Sequence, residues 1–244
     1  MIAIIVVAAL ISLVTLVSSV VSFVLWSKYI RYNKTMNSVG KSGSEIAREL
    51  LDKNELENIR VSNTGSLMFG NSYSHYFKKI RLRRGIYKKS SITSMALSSE
   101  KVALAVMDKE GDQDMRDRVK LVPLITFGPL AFIPLVLVGA LLDYAVLHTK
   151  GSVTFAFLLL GLAFYVYAIV LSVKTLKTEK KAQLRAVELL KNDNLVEEDE
   201  IDMINDLYSL YNIQYVNDII LSSLELLYRV LEIALKILKS SKKN

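Results

Sequence analysis

The stretch Ser91–Val106 (SITSMALSSEKVALAV) decides the fold, because its apolar positions suit a helix that packs into a protein core. Two charged residues, Glu100 and Lys101, stand in the middle of this apolar frame. Ser98 and Lys101 are three residues apart, so they can touch on one helix face, and a desolvated Ser–Lys pair is a possible nucleophile. The centre of this helix is therefore the first candidate for chemistry.

The composition restricts that chemistry. The chain of 244 residues has no Cys, which excludes disulfides and thiolate metal sites. Only two histidines occur, His75 and His148, so little is available for a histidine metal site. With 52% hydrophobic residues and a mean hydropathy of +0.32, the chain is too apolar for an ordinary soluble domain. In such a chain the net charge of +7 indicates membrane orientation and not nucleic-acid binding.

Three uncharged stretches predict membrane-spanning helices, so the expected fold is a mainly α membrane protein. Ile2–Trp26 is long enough to cross a hydrocarbon core of about 30 Å. It lacks the basic start of a cleaved signal peptide, which favours a retained transmembrane anchor at residues 1–26. Leu121–Leu142 and Val153–Val173 are the second and third predicted spans, and together they form a transmembrane hairpin at residues 121–173.

Residues 174–244 are predicted to be a helical region with an amphipathic helix at 216–239. Polar residues recur there at spacings of three and four, which places them in one stripe along a helix. Its three acids outnumber its two bases, so attraction to anionic lipid is weak and we expect the stripe to pack against protein. The stripe consists of Asp218, Ser222, Glu225, Arg229, Glu232 and Lys236.

Residues 27–120 are predicted to form a small α+β module. Ser42–Leu56 has a helical pattern, and Arg60–Val61 and Lys79–Leu82 have the pattern of short strands. The mixed charges of Lys109–Lys120 predict a solvated linker at the end of the module.

Basic residues set the expected orientation. Between Ser27 and Lys120 there are nineteen Lys and Arg against eleven Asp and Glu, and a basic run begins at Lys174. The positive-inside rule makes both regions cytoplasmic, and the protein is expected to be a multi-pass protein of the plasma membrane. The stretch Lys78–Lys89 (KKIRLRRGIYKK) then suits the negatively charged cytoplasmic leaflet better than a nucleic acid.

These stretches, in this order, resemble the neutral zinc metallopeptidase family of bacterial membrane proteases, the YugP-like group. The most specific match is the family's S-G-x-E-x-A-R-x-[IL]-L-D-x-N-x-L, which fits the chain from Ser42 to Leu56. A second family stretch, G-x-L-T-D-H-Y-D, is matched only by Gly65, Leu67 and Tyr73. The family's metal helix, S-I-x-x-I-x-x-A-x-H-E-x-G-H-A-[IL], matches Ser91–Val106 in its apolar frame alone.

The resemblance implies an active-site helix at residues 91–108 whose zinc motif is missing. In His-Glu-x-x-His, two histidines grip one metal ion and the Glu activates its bound water. Here Glu100, Lys101 and Leu104 stand at these three positions. The resemblance places the family's third zinc ligand at Glu179, so one carboxylate is left of three ligands and a base. No zinc or other cofactor is therefore expected.

Three functions remain open from the sequence. The first is a catalytically inactive membrane homologue that binds or regulates another membrane protein or a protease complex. The second is an active membrane peptidase that uses Ser98 and Lys101, or a rebuilt metal site. The third is a structural subunit of a membrane assembly. The expected partners are the lipid bilayer and a protein or a second copy of the chain, and no nucleic acid.

Overall fold

A computed structural model describes residues 2–64, 70–143 and 151–241, with the side chains in these ranges except those of residues 2–4, 122–133 and 233–241. The described chain is mainly helical, with one small sheet. It divides into two compact units. Unit 1 comprises Met1–Val20, Lys120–Thr175 and Tyr215–Asn244, and unit 2 comprises Val21–Val119 and Leu176–Gln214. The elements are α1 Ile2–Lys34, α2 Gly43–Lys53, β1 Arg60–Thr64, β2 Ser72–Ser74, β3 Lys79–Arg83, α3 Arg84–Lys88, α4 Ile92–Lys109, α5 Gln113–Leu142, α6 Ser152–Asn192 and α7 Glu198–Ser241.

The prediction of three membrane-spanning helices is wrong, and two candidates replace it. Within the described residues, only Ile5–Lys34 and Ser152–Asn192 are helices long and apolar enough to cross a membrane. A span needs about 20 predominantly apolar residues. The expected second span, Leu121–Leu142, belongs to α5, which begins with the charged stretch 113–120, and most of its apolar part lies outside the described side chains.

Unit 1 consists of parts of α1, α5, α6 and α7. At Gly139 of α5, an added Cβ would lie 2.8 Å from the Phe157 side chain of α6, so the absence of a side chain permits close helix packing. The Tyr215 hydroxyl of α7 donates a hydrogen bond of 3.3 Å to the Ser172 carbonyl of α6. Residues 144–150 of the predicted transmembrane hairpin, His148 among them, lie outside the described residues.

The sheet of unit 2 has the strand order β1-β3-β2, with β1 parallel and β2 antiparallel to β3. Ile80 and Leu82 of β3 are fully buried, whereas the residues between and beside them are not. This alternation is expected of a strand with one face on a core. The predicted strands at Arg60 and Lys79 are confirmed, and both extend further than predicted.

The helical pattern at Ser42–Leu56 is confirmed by α2, although the helix ends at Lys53. Its N-terminus has a capping box in which the Ser42 side chain accepts from the Glu45 amide, while the Glu45 carboxylate accepts from the Ser42 amide at 2.7 Å. An added Cβ at Gly43 would lie 2.4 Å from the Ile86 carbonyl oxygen, so only glycine fits at this approach to α3.

The remaining residues of this segment also have structural partners. The Arg48 guanidinium donates to the carbonyl oxygens of Ile59 (2.8 Å) and Leu56 (3.2 Å) and pairs with Asp52. The Asn54 amide donates 2.7 Å to the Leu50 carbonyl. We call Gly43–Lys53 with its flanking residues Ser42 and Asn54–Leu56 the α2 module, and its polar groups serve to fix the backbone.

The helix α4 lies at the centre of unit 2 and is buried from Ile92 to Met107. Ser91 caps its N-terminus by accepting from the Ser94 amide. It contacts α2, α3 and the sheet. A helix buried on all sides leaves no solvent-facing surface for its polar residues, so each of them must find a partner inside the protein.

Two further segments complete unit 2 around α4. Asp206 of α7 accepts hydrogen bonds from Lys28 and Tyr32 of α1, both at 2.6 Å. The Tyr208 hydroxyl donates 2.6 Å to the Ala96 carbonyl of α4. The predicted solvated linker is wrong for residues 113–119, which form the first turns of α5, because Met115 is fully buried there.

Candidate functional site

The candidate site lies where α4 carries charge in its buried middle. Glu100 and Lys101 are adjacent on α4, and their side chains are only 8% and 11% exposed. Burying a lone charge is costly, so such residues require partners. Two partly buried charged side chains supply them, Arg118 from α5 and Glu179 from α6.

The four side chains form one connected set of ion pairs, which we call the charge network. The Lys101 ammonium lies 2.9 Å from a Glu100 carboxylate oxygen and 3.6 Å from a Glu179 carboxylate oxygen. The Arg118 guanidinium donates to one oxygen of Glu179 through Nε at 2.9 Å and through Nη2 at 2.6 Å. Two cations and two anions balance, so the network is neutral as a whole.

Neutral amides extend the network on the side of Glu100. The Gln183 amide donates to Glu100 at 3.3 Å, and the Asn212 amide donates to the Gln183 side-chain oxygen at 2.8 Å. Glu100 therefore has a cationic donor and a neutral donor. A fully partnered buried set of this kind holds its members in fixed positions.

The network keeps Lys101 charged. Burial acts to lower the pKa of the Lys101 amine, but the carboxylates of Glu100 and Glu179 outweigh burial and raise the pKa above its ordinary value. A lysine that acts as a base needs the opposite, a pKa brought down towards neutrality. Lys101 is therefore a counter-ion in this environment.

The predicted Ser–Lys pair is not joined in the structure. The Ser98 hydroxyl donates 3.2 Å to the Met95 carbonyl of its own helix, and Ser99 does the same to Ala96 at 3.0 Å. The Lys101 ammonium is instead directed to Glu100 and Glu179. The structure thus brings together Glu100, Lys101 and Glu179 of the sequence candidates and leaves Ser98 with a local bond.

The donor set does not fit a zinc ion. Leu104 is fully buried and has no ligating atom, and both carboxylates of the site are already neutralised by cations. Tetrahedral zinc requires at least three protein ligands from Cys, His, Asp or Glu. Within residues 2–64, 70–143 and 151–241, no group of three such residues could hold a metal ion.

Arg118 and Gln183 were missed by the sequence analysis. Arg118 falls in a stretch of mixed charge, which resembles a solvated linker when the partner on α6 is unknown. One signal was available, because Met115 and Val119 lie three before and one after Arg118 and mark a helix face turned inward.

A second cluster of polar side chains lies at the C-terminal end of α4. Asp108 accepts from the Tyr73 hydroxyl at 2.6 Å, contacts His75 Nδ1 at 2.7 Å and pairs with Lys78 at 3.4 Å. Burial acts to raise the pKa of the Asp108 carboxyl, but these three donors outweigh burial and hold the pKa below its usual value. Asp108 thereby ties the segment between β2 and β3 to α4.

Comparisons with known proteins place this geometry in context. The model of a family described as "Putative neutral zinc metallopeptidase" matches residues 5–234. The chain is 26% identical over 209 residues to "Putative membrane protease YugP" of Bacillus subtilis (strain 168), which covers 84% of this chain and 86% of that protein. No solved structure matches. Together with the two long apolar helices, this relative supports membrane association of the chain.

Proposed function

This chain belongs to the neutral zinc metallopeptidase family, and we propose that it is a catalytically inactive member that binds or regulates another membrane protein. The observation that carries the proposal is the position of Lys101. Its ammonium lies between Glu100 and Glu179, the two carboxylates that occupy ligand positions by resemblance to the family. We propose that this side-chain cation replaces the metal cation of the family.

The chemistry of the network supports inactivity. Hydrolysis of a peptide bond needs a group that activates water or attacks the carbonyl, and a group that stabilises the resulting negative charge. Lys101 stands at the position of the family's general base, but a protonated amine cannot accept a proton. Ser98 lacks a hydrogen bond to any described base that could activate it.

Contacts in unit 1 support a role in binding membrane proteins. Asp218 and Ser222 of α7 line a cavity of about 230 Å³ together with Tyr165 and Ser172 of α6. Polar side chains between apolar helices are costly in a membrane and commonly serve association with other helices. A partner helix with a hydroxyl or amide side chain suits this cavity.

We further propose that unit 2 faces the cytoplasm. Each candidate span carries basic residues in the stretch that enters unit 2, at residues 28–34 and at residues 174–181. Lys and Arg next to membrane spans favour the cytoplasmic side. The chain has no Cys, so a single Cys at Ser42 can report the side. Labelling of that Cys by an impermeant reagent in intact cells contradicts this orientation.

An activity assay tests the proposed loss of catalysis. The full chain is reconstituted in lipid vesicles and incubated with casein and added zinc, next to the Ser98→Ala and Glu179→Ala variants. We expect no cleavage above that of protein-free vesicles for any of the three. Cleavage that Ser98→Ala abolishes overturns the proposal in favour of a Ser–Lys peptidase. Cleavage that a chelator and Glu179→Ala abolish overturns it in favour of a rebuilt metal site.

Site-specific crosslinking tests the binding role. A photo-reactive amino acid replaces Ser222 beside the cavity, and Glu57 of unit 2 serves as the exposed control position. We expect one membrane protein to be crosslinked in native membranes from position 222 and not from position 57. Crosslinking to lipid alone at position 222 contradicts a protein partner at this cavity.

A further inference from the structure

The outer face of the sheet in unit 2 is unusually basic. Lys79, Arg81 and Arg83 alternate along β3 with the buried Ile80 and Leu82, so the three cations share the face opposite the core. Arg60 of β1 is paired with Lys79 in the strand register, which places it on the same face. We call Arg60, Lys79, Arg81 and Arg83 the basic face.

In the described part of the chain no carboxylate forms an ion pair with the basic face, although Glu49 and Asp52 of α2 line the same cavity as Arg60. The other described residues that share this face through the strand register carry only hydroxyl groups; they are Ser62, Thr64, Ser72 and Ser74. None of the four cations makes an ion pair within the described part of the chain. From 78 to 89 the sequence contains seven Lys and Arg and no Asp or Glu. The basic face is therefore complementary to an anionic partner.

An aromatic tip lies beside the basic face. The segment between β2 and β3, His75–Lys78, presents Tyr76 and Phe77, and each of them is 72% exposed. The Arg81 guanidinium carbon lies 5.9 Å from the Phe77 ring centroid, which links the tip to the basic face. Two adjacent exposed aromatic rings form an apolar surface that a partner can cover.

Contacts with α4 fix the position of the aromatic tip. Asp108 of α4 contacts His75 and Lys78 at the two ends of the tip and also accepts from Tyr73. Lys78 has a φ of +44°, a conformation that few non-glycine residues adopt and that closes the tight turn. The two rings between these anchors are thus presented outward on a fixed base, which reduces the entropy lost on binding.

We propose that the basic face and the tip form a binding site for the surface of an anionic lipid bilayer. Aromatic rings prefer the interfacial layer of a membrane, and adjacent Lys and Arg bind the anionic headgroups. Single-stranded nucleic acid also binds cations and aromatics, but its bases stack on rings that lie on the binding face itself. Here both rings lie at the turn, beyond the strands. The chain is membrane-associated, so lipid is always present.

The test uses the full chain in lipid nanodiscs, which leave both bilayer surfaces accessible. A Cys introduced as Phe77→Cys carries an environment-sensitive fluorophore, and Glu57→Cys in the same unit is the matched exposed control. Discs of neutral lipid are compared with discs that contain an anionic phospholipid. We expect iodide to quench the label at position 77 at least about threefold less in anionic discs, with no change at position 57.

Charge variants distinguish binding by the basic face from binding by any nearby Lys or Arg. The triple variant Arg60→Glu, Arg81→Glu and Arg83→Glu is expected to abolish the protection of the label at position 77 from iodide. The pair Lys88→Glu and Lys89→Glu lies on the same basic stretch but off the sheet, and it should retain the protection. Equal quenching at position 77 in neutral and anionic discs overturns the proposal. Protection in neutral discs that appears only on adding single-stranded RNA also overturns it, in favour of nucleic acid.

Discussion

The α2 module and the charge network belong to the same unit, yet they relate to the family in opposite ways. The α2 module matches the family pattern from Ser42 to Leu56, and its polar residues fix the backbone through caps and carbonyl contacts. By resemblance to the family, the charge network lies at the catalytic positions with different side chains, Glu100 and Lys101 among them. The packing frame of a fold and its chemistry can therefore change independently.

The two regions also differ in the interactions that stabilise them. The α2 module relies on close approach and hydrogen bonds, such as the contact of Gly43 with Ile86. The network relies on charge balance in a buried place, where each member compensates another. Damage to the network should therefore be repaired by restoring charge balance, whereas damage to the α2 module should be repaired only by restoring shape or a cap.

The largest expected effect is the loss of the cation in the network. Lys101→Met removes the cation beside Glu100, while Glu179 keeps its ion pair with Arg118. We expect the free energy of unfolding to fall by about 3–5 kcal/mol. In thermal unfolding of the detergent-solubilised chain, we expect the midpoint temperature to fall by roughly 10 °C.

The double variant Lys101→Met with Glu100→Gln is the matched control. It leaves the neutral pair of Arg118 and Glu179, so it should recover most of the lost stability. If the double variant is less stable than Lys101→Met alone, charge balance is not what holds the network.

The next effect concerns shape in the α2 module. Gly43→Ala places a Cβ against the Ile86 carbonyl, and we expect a loss of about 1–3 kcal/mol. Gly85→Ala is the control, because an added Cβ there meets no atom within 4 Å. Equal unfolding temperatures for the two variants contradict the packing argument.

A smaller effect is expected at the cap of α2. Ser42→Ala removes the acceptor for the Glu45 amide and should cost about 1 kcal/mol. Ser42→Asp keeps a capping oxygen and should remain close to the wild type in the same measurement. If Ser42→Asp lowers the free energy of unfolding as much as Ser42→Ala does, the hydrogen bond of the cap does not stabilise the protein.

The smallest effect is the dependence on pH. Hydrogen bonds from Ser42 lower the pKa of the Glu45 carboxyl in the folded protein. The stability gained from Glu45 is therefore present above its unfolded pKa of about 4.3 and is lost as pH falls through the lower folded pKa. The difference in unfolding temperature between the wild type and Glu45→Gln should be present at neutral pH and vanish in acid.

The network should respond at the opposite end of the pH scale. The pKa of Lys101 is raised, so its stabilisation is fully present below its unfolded pKa of about 10.4 and is lost as pH rises through the folded value. The difference between the wild type and Lys101→Met should then remain constant from neutral pH to about pH 9. A difference that shrinks within that range contradicts a charged Lys101.

Local patterns explain how much could be predicted from the sequence. The helix within residues 91–106 and the helix after Ser42 were predicted because their apolar spacing is encoded within a few residues. The strand β2 was missed because Ser72–Ser74 is short and polar, and only the burial of Tyr73 against the core makes it a strand. Its pairing with Ile80 is a tertiary contact that no local pattern contains.

The candidate site shows the same limit. Glu100, Lys101 and Glu179 were identified from the resemblance, and the structure brings their side chains together. Arg118 was not identified, because its role depends on a contact with a residue 61 positions away. The number of spans was also wrong, because within the described residues only two helices are long and apolar enough to cross a membrane.

The most direct test of the central claim is the zinc content of the purified full chain. The chain is prepared without chelator, dialysed against zinc and then against metal-free buffer, and analysed for metal per mole of protein. The Glu179→Ala variant is treated in parallel. The account predicts well below one zinc per chain in both samples, because Lys101 and Arg118 already neutralise the two carboxylates. One zinc per chain in the wild type that is lost in Glu179→Ala contradicts it.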